Sequence, residues 1–360
     1  MAIAFHSLTV ADVRRETPAA VSIAFAVPPE LADDYRFVPG QHLTLRTMLD
    51  GAECRRSYSI CCGLDDGELR IAVKQVEGGA FSVFANTALK RGDAVDVMTP
   101  QGRFGLLPDA ASARRYLAVA AGSGITPVMS IVKTVLAREP HSEVVLIYGN
   151  RTAQSIIFKD ALEDLKDRYL SRLVIHHVLS REAQEVPLLS GRIDGDKLPA
   201  LLRATGPAAD FDHAFLCGPG ALIAEGRGAL ERLGLPPERI HVEYFSTDGM
   251  PVEPRAARRG DAADAEAPVA VAAITLQGVR QEIPMLAGET IVDAGLRAGL
   301  EMPYSCRGGM CCTCRARLTE GEVRMDLNYS LEPWETAAGF VLTCQSHPLT
   351  PRVAVDYDAV

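Results

Sequence analysis

No apolar run in the chain is long enough to cross a bilayer as a helix, so no transmembrane segment is expected. The opening residues, Met-Ala-Ile-Ala-Phe-His-Ser, lack a basic stretch ahead of an apolar core, and no secretory signal is read there. Positive charge is in deficit. Against 46 Asp and Glu stand 37 Lys and Arg, and the net charge of −9 argues against nucleic acid as a partner. It fits docking onto a more basic protein surface instead. There is no His-Glu-x-x-His pair and no Ser–His–Asp order, which removes the zinc-protease and serine-hydrolase readings. Internal repeats are missing. Tryptophan is reduced to a single residue, Trp334, read as packing, and His176-His177 reads as a satisfied pair, not a metal site.

Cysteine is not scarce: there are nine. A disulfide framework belongs to small secreted domains, so a chain of this length without a leader points to the reducing cytoplasm. Cys306, Cys311 and Cys314 follow a C-x4-C-x2-C spacing, and Cys344 lies well downstream. Three thiolates on one loop and a distant fourth are the ligand pattern of a plant-type [2Fe–2S] cluster. Gly308 and Gly309 would let that loop curl. A structural zinc site would more often show two C-x2-C knuckles. Cys312 falls outside the spacing and reads as a small buried side chain, with a substitute ligand as the alternative. Cys54, Cys61, Cys62 and Cys217 are expected to be free thiols.

At 360 residues the chain suits two or three domains. Residues 1–108 hold six short strand candidates punctuated by turn residues such as Asp50-Gly51, which predicts an antiparallel β-barrel. The fourth of those strands is expected over Tyr58 to Cys62, and a helix over Phe81 to Leu89. From 109 to 245 strands alternate with helices, which predicts an α/β domain with a parallel sheet. Residues 246–268 have a linker composition. Residues 269–360 open on a hairpin, pass through a helix and enclose the cysteine loop.

Arg56-Ser57-Tyr58-Ser59 stands on a barrel strand. An arginine there can pair a flavin phosphate, a tyrosine can stack on the ring and a serine can hydrogen-bond it; an ordinary barrel strand is the competing reading. Gly79, Phe81 and Ser82 open a helix suited to a second phosphate contact, with Val73 and Lys74 on the adjacent strand. Gly122, Ser123, Gly124, Thr126 and Pro127 join a strand to a helix, an incomplete but well-placed nucleotide loop. Cys217-Gly218-Pro219 ends a later strand in the same way. Arg151, Ser180 and Arg181 follow two strand ends where no acidic residue is read for a free ribose hydroxyl. That favours NADPH over NADH, with solvated surface arginines as the alternative.

With these motifs in this order, the chain resembles the ferredoxin–NADP reductase superfamily in its form with a C-terminal ferredoxin domain. The stretches Gly191-Arg192-Ile193-Asp194-Gly195 and Asn328-Tyr329-Ser330-Leu331-Glu332-Pro333 are similar to the reductase subunits of phenylacetyl-CoA 1,2-epoxidases, which are diiron multicomponent monooxygenases. The resemblance implies a multidomain protein: an antiparallel β-barrel flavin domain, an α/β parallel-sheet nucleotide domain and an α+β β-grasp ferredoxin domain. It implies FAD, NADPH and a [2Fe–2S] cluster as cofactors and an oxygenase component as partner. Tyr58, Ser59 and Cys217 would be the catalytic set, and Glu243-Tyr244-Phe245 would lie near the flavin face, with no mechanism for it read from the residues. A reductase for a Rieske-type ring hydroxylase, and a redox-sensing module without turnover, remain alternatives.

Overall fold

The computed structural model describes residues 3–246 and 268–359. They form two units, residues 5–246 and residues 3–4 with 268–359. Nearly all of the expected linker, 246–268, lies outside the described residues.

The first unit begins with strands β1 (Phe5–Thr17), β2 (Ala20–Ala26), β3 (His42–Leu49), β4 (Ala52–Ser59), β5 (Leu69–Lys74) and β6 (Ala94–Met98), with helix α1 (Ala80–Thr87) after β5. Their order is β4-β3-β6-β1-β2-β5, and a bridge between Ile60 and Ile71 brings the two ends together. The inward residues Leu8, Ile23, Leu43, Leu45, Ile71 and Val97 are fully buried. The fourth strand starts six residues before the expected Tyr58. Asp50 (φ 50°) and Gly51 (φ 78°) make a two-residue turn that pairs Leu49 directly with Ala52. Such a turn matches strand twist and starts pairing at once, which overrides the weak strand propensity of Ala-Glu-Cys-Arg.

The parallel sheet follows: β7 (Arg115–Ala121), α2 (Ile125–Arg138), β8 (Glu143–Asn150), α3 (Lys159–Arg168), β9 (Leu173–Leu179), α4 (Lys197–Leu202), β10 (His213–Pro219), α5 (Gly220–Arg232) and β11 (Ile240–Ser246). The strand order is β11-β10-β7-β8-β9. Strand β7 is buried from Tyr116 to Ala120, as a strand covered on both faces must be. The chain reverses direction across the sheet at β7, so the crevice at the carboxyl ends of β7 and β10 is where an open α/β sheet takes a ligand. Strand β11 and helix α4 have no counterpart among the expected elements.

The second unit contains β12 (Ala270–Leu276), β13 (Val279–Met285), α6 (Ile291–Arg297), β14 (Arg315–Glu320), β15 (Val323–Met325), α7 (Pro333–Ala337), β16 (Phe340–Leu342), β17 (Ser346–Pro348) and β18 (Arg352–Asp356). A mixed sheet runs β13-β12-β18-β14-β16, with β15 and β17 paired apart from it. Helix α6 buries Ile291, Val292 and Ala294 in the sheet's core and is capped by Thr290, whose Oγ1 accepts the Asp293 N–H at 3.2 Å. This is a β-grasp arrangement. The cysteine loop runs between α6 and β14, and Cys344 follows β16. Trp334 is not core: on the short helix α7 the buried residue is Glu335, paired with Arg315 at 2.9 Å, and Trp334 is 57 % exposed.

Gly124 shows how tightly the crevice is built. A Cβ there would lie 2.2 Å from the Cys217 carbonyl oxygen, so the loop after β7 touches strand β10 only because residue 124 has no side chain. Overpacking of this kind costs ~1–3 kcal/mol. Gly124→Ala is therefore expected to lower the melting temperature by several degrees and to weaken nucleotide binding, read by thermal melts and nucleotide titration. An unchanged melt would contradict the packing.

Candidate active site and cluster-binding loop

Strand β4 does not alternate cleanly: Cys54 and Arg55 are buried side by side, and Ser57 and Tyr58 are both half-buried. Arg55 is buried and binds Glu53 (2.8 Å), whereas Arg56 turns outward and donates only to the Arg55 carbonyl (2.7 Å). Ser57 pairs with Thr44 at 3.0 Å. The Tyr58 ring lies 5.3 Å from that of Phe81, and burial raises the phenol pKa. Phe81 and Val73 put their side chains in the barrel core. Ser82 Oγ accepts the Val76 N–H (3.1 Å) and donates to the Gly79 carbonyl (3.0 Å), so this hydroxyl closes the turn before α1. Free backbone N–H groups of α1, following Gly79, are what that turn presents to an anion.

At the end of β4 the barrel meets the parallel sheet. Ser59 Oγ donates to Glu243 Oε2 at 3.2 Å, and Cys217 Sγ lies 3.9 Å from the same oxygen. Glu243 is there because β11 pairs in parallel with β10, setting Glu243 opposite Cys217. Burial of the carboxyl pushes its pKa to about 8, against the lowering pull of the Ser59 and Cys217 hydrogen bonds. Burial first, and Glu243 second, hold the Cys217 thiol neutral. A neutral, buried thiol is a weak nucleophile. The three residues form a small proton-holding set on an enclosed carboxyl. Phe245, two residues on, packs half-buried against the core shared by the barrel and the parallel sheet.

The nucleotide side of the crevice is cationic. Gly122 (φ 55°) starts a single 3-10 turn through Gly124, and α2 then begins, so Thr126 and Pro127 are buried in its first turn and Thr126 Oγ1 donates to the Ser123 carbonyl (3.0 Å). Tyr148 donates its hydroxyl proton to the Gly122 carbonyl at 2.9 Å. Lys74 Nζ approaches Gly122, and both burial and the nearby Arg151 charge lower its pKa. Gly218 (φ 155°) and Pro219 lead from β10 into α5 across the crevice from this turn. Arg151 and Arg181 are exposed at neighbouring strand ends, joined by the Arg181 N–H to the Arg151 carbonyl (2.8 Å), with Ser180 beside them. Glu182 also stands there, but its carboxylate accepts the Ala153 N–H at 2.9 Å. The Asn150 side chain is buried beside this turn, with its amide directed at the Tyr148 hydroxyl. His176 and His177 are not the satisfied pair expected: His176 Nε2 and His177 Nδ1 have no partner. Alternation along β9 turns the two rings to opposite faces, His177 toward Tyr148 at 5.9 Å, so they cannot serve each other.

In the second unit the four thiols come together two by two. The Cys311 thiol donates to Cys306, which also receives N–H groups from Gly308 (3.3 Å) and Met310 (3.4 Å); these donors bring the Cys306 pKa down to about 5. Cys314 donates in the same way to Cys344, lowering that thiol while its own pKa rises. Among the described residues no group of three or more Cys, His, Asp or Glu converges as around one ion. The two pairs lie close enough to feel each other's charge, and these four thiols would hold a [2Fe–2S] cluster. Ser305 Oγ, buried next to Cys306 without a protein partner, is a donor that a cluster sulfide would satisfy. Of the two glycines, Gly309 is the constrained one: φ is 74° and a Cβ would meet the Leu327 carbonyl at 2.8 Å, whereas Gly308 has room. Cys312 is half-buried with φ 53°, less enclosed than expected, because the loop reverses there before β14. No cysteine is disulfide-bonded among the described residues.

Residues 9–105 match the oxidoreductase FAD-binding domain family, 118–227 the oxidoreductase NAD-binding domain and 274–349 the 2Fe-2S iron-sulfur cluster binding domain. The chain is 48 % identical over 356 residues to a subunit of the 1,2-phenylacetyl-CoA epoxidase of Escherichia coli K12, covering 99 % of this chain and 98 % of that one. The chain belongs to the ferredoxin–NADP reductase superfamily with a C-terminal [2Fe–2S] domain. Another superfamily member, the ferredoxin reductase component of a 3-ketosteroid-9-alpha-monooxygenase from Mycobacterium tuberculosis, is 36 % identical over 98 % of this chain and 95 % of its own. A solved phthalate dioxygenase reductase shares the fold, with TM-score 0.58 and 24 % identity over 98 % of both chains. As a reductase of this superfamily, the protein is an oxidoreductase that uses a nicotinamide nucleotide, FAD and a [2Fe–2S] cluster. Among the described residues no helix is long and apolar enough to cross a membrane.

Cys311→Ser is expected to abolish the cluster's visible absorbance, while Cys312→Ala keeps it; iron and sulfide analysis reads both. A second expectation concerns pH. A carboxyl whose pKa rises from 4.5 to about 8 on folding stabilises the fold fully below its unfolded value, and that contribution is lost as pH rises through 8. The melting temperature of wild-type holoprotein should fall relative to Glu243→Gln between about pH 5 and pH 9, and parallel curves would refute the assignment.

Proposed function

We propose that the protein takes electrons from NADPH and passes them, through FAD and its [2Fe–2S] cluster, to the oxygenase component of a phenylacetyl-CoA epoxidase. Bound FAD would supply the two-electron to one-electron conversion between the nicotinamide and the cluster. The rest is positioning by the chain. Arg56, exposed and without a carboxylate partner, would hold a flavin phosphate with the N–H groups of α1, and Tyr58 would lie along the ring. Gly122, Ser123, Gly124 and the Thr126 turn would cradle the nucleotide's phosphates opposite Lys74. Arg151, Ser180 and Arg181 would take the 2′-phosphate. Ser59, Cys217 and Glu243 would close the point where the two rings meet, keep water out and hold a proton at the Glu243 carboxyl.

The observation that carries this reading is that contact of Ser59, from the barrel, with Glu243 and Cys217, from the parallel sheet: one enclosed polar spot shared by the two halves that hold the two rings. The 48 % identity supports the epoxidase as partner over the ketosteroid oxygenase, at 36 %. The test is delivery: with NADPH, the purified protein should sustain epoxidation of phenylacetyl-CoA by the purified epoxidase oxygenase component. Failure there, with turnover on a ring-hydroxylating or ketosteroid oxygenase, would move the partner to that class. Rapid NADPH-driven reduction of cytochrome c would separate a reductase from a sensor. Each arginine bond to a phosphate is worth ~1.5–3 kcal/mol. Arg151→Ala with Arg181→Ala, which together remove ~3–6 kcal/mol, should therefore lower kcat/KM for NADPH roughly 100-fold to 10,000-fold, with NADH nearly unaffected. An equal loss for both nucleotides would remove the 2′-phosphate assignment.

A further inference from the structure

We propose that Gln345 is a positioning residue that raises the reduction potential of the cluster, by donating its side-chain amide hydrogen to Cys344 Sγ while pinning the fourth ligand to the loop of the other three. The proposal rests on the cluster reading above. Gln345 is 3 % exposed, and its Nε2 lies 3.4 Å from Cys344 Sγ, 2.9 Å from the Arg307 carbonyl oxygen and 3.0 Å from the Cys344 carbonyl oxygen. An amide nitrogen has two hydrogens. One serves Arg307, and the other is shared between the Cys344 oxygen and sulfur.

The residue has little freedom to do anything else. Its N–H donates to the Leu342 carbonyl (2.8 Å), and its carbonyl accepts the Asp326 N–H (2.9 Å), so the backbone is fixed on both sides. Arg307 has φ 49°, a conformation that costs a non-glycine residue energy, and the Gln345 bond secures the carbonyl presented by that turn. Residues 307 and 345 belong to segments separated by β14, β15, α7 and β16, so one amide joins the ligand loop to the distant ligand.

The electrostatic consequence has a sign. A four-thiolate cluster gains negative charge on reduction, and a donor on a ligand sulfur favours the more negative state. Cys306 has two backbone donors, from Gly308 and Met310, that no side-chain substitution removes. The donor on Cys344 is a side chain and is therefore adjustable.

The test is redox titration of the full-length holoprotein. Gln345→Met keeps length and volume but has no hydrogen to donate. It should hold a cluster with the wild-type visible spectrum and be harder to reduce by about tenfold in the equilibrium, ~59 mV for one electron. Gln281→Met, on exposed β13, should leave the potential unchanged. An intact cluster in Gln345→Met with an unchanged or higher potential would overturn the proposal. Should Gln345→Met fail to assemble a cluster, pulsed EPR of reduced wild-type protein carrying 15N-labelled glutamine side chains decides: a nitrogen coupling from the side-chain amide is expected, and its absence overturns the assignment. Wild-type protein without iron would overturn the cluster as well, which separates the two failures.

Discussion

Four thiols in two adjacent pairs, Cys306 with Cys311 and Cys314 with Cys344, are the constraint to which the second unit is built. Soft anionic ligands repel one another, so a protein that crowds four of them needs a cation to hold them and hydrogen-bond donors to offset the charge that remains. The donors are present: the N–H groups of Gly308 and Met310, and the amide of Gln345. The loop that carries them closes only because Gly309 presses against the Leu327 carbonyl. Ser330 Oγ and the Tyr329 N–H bind the Gly309 carbonyl, tying the segment after β15 to the same turn.

The first unit answers a different demand. A ring that accepts a hydride must lie against the ring that gives it, and both must be shielded from water. On the proposed reading the barrel would supply one wall through β4, and the parallel sheet the other through the ends of β7, β10 and β11. They meet where Ser59, Cys217 and Glu243 share one carboxyl oxygen. Within the parallel-sheet half, Gly124 presses directly against the Cys217 carbonyl, which fixes the loop after β7 on β10. Stabilisation by charge pairing is avoided here: Lys74, Arg56, Arg151 and Arg181 form no ion pair among the described residues, whereas Arg55, Arg70 and Arg315 elsewhere are bound to carboxylates.

Much of this was legible in the residues. The cysteine spacing is set by the chemistry of two irons, and the change from short alternating strands to strand–helix alternation after residue 108 separates barrel from parallel sheet. What was not legible depends on partners far away in sequence. Glu243 gains its role only because β11 pairs with β10 and sets it beside Cys217, a register that local pattern does not encode. Strand β4 begins at Ala52 because a two-residue turn forces pairing with β3, despite its charged composition. Trp334 suggests core by its type but lies on a five-residue helix whose inward position belongs to a salt-bridged Glu335. His176 and His177 look like neighbours in sequence and are separated by the pleat of their strand.

The most direct measurement of the central claim is the metal and sulfide content of the purified full-length protein, read with its EPR spectrum after reduction under anaerobic conditions. The account predicts two irons and two acid-labile sulfides per chain, with a one-electron signal that appears when NADPH is added. Zinc in place of iron, or iron that NADPH leaves oxidised while the flavin is reduced, would contradict it.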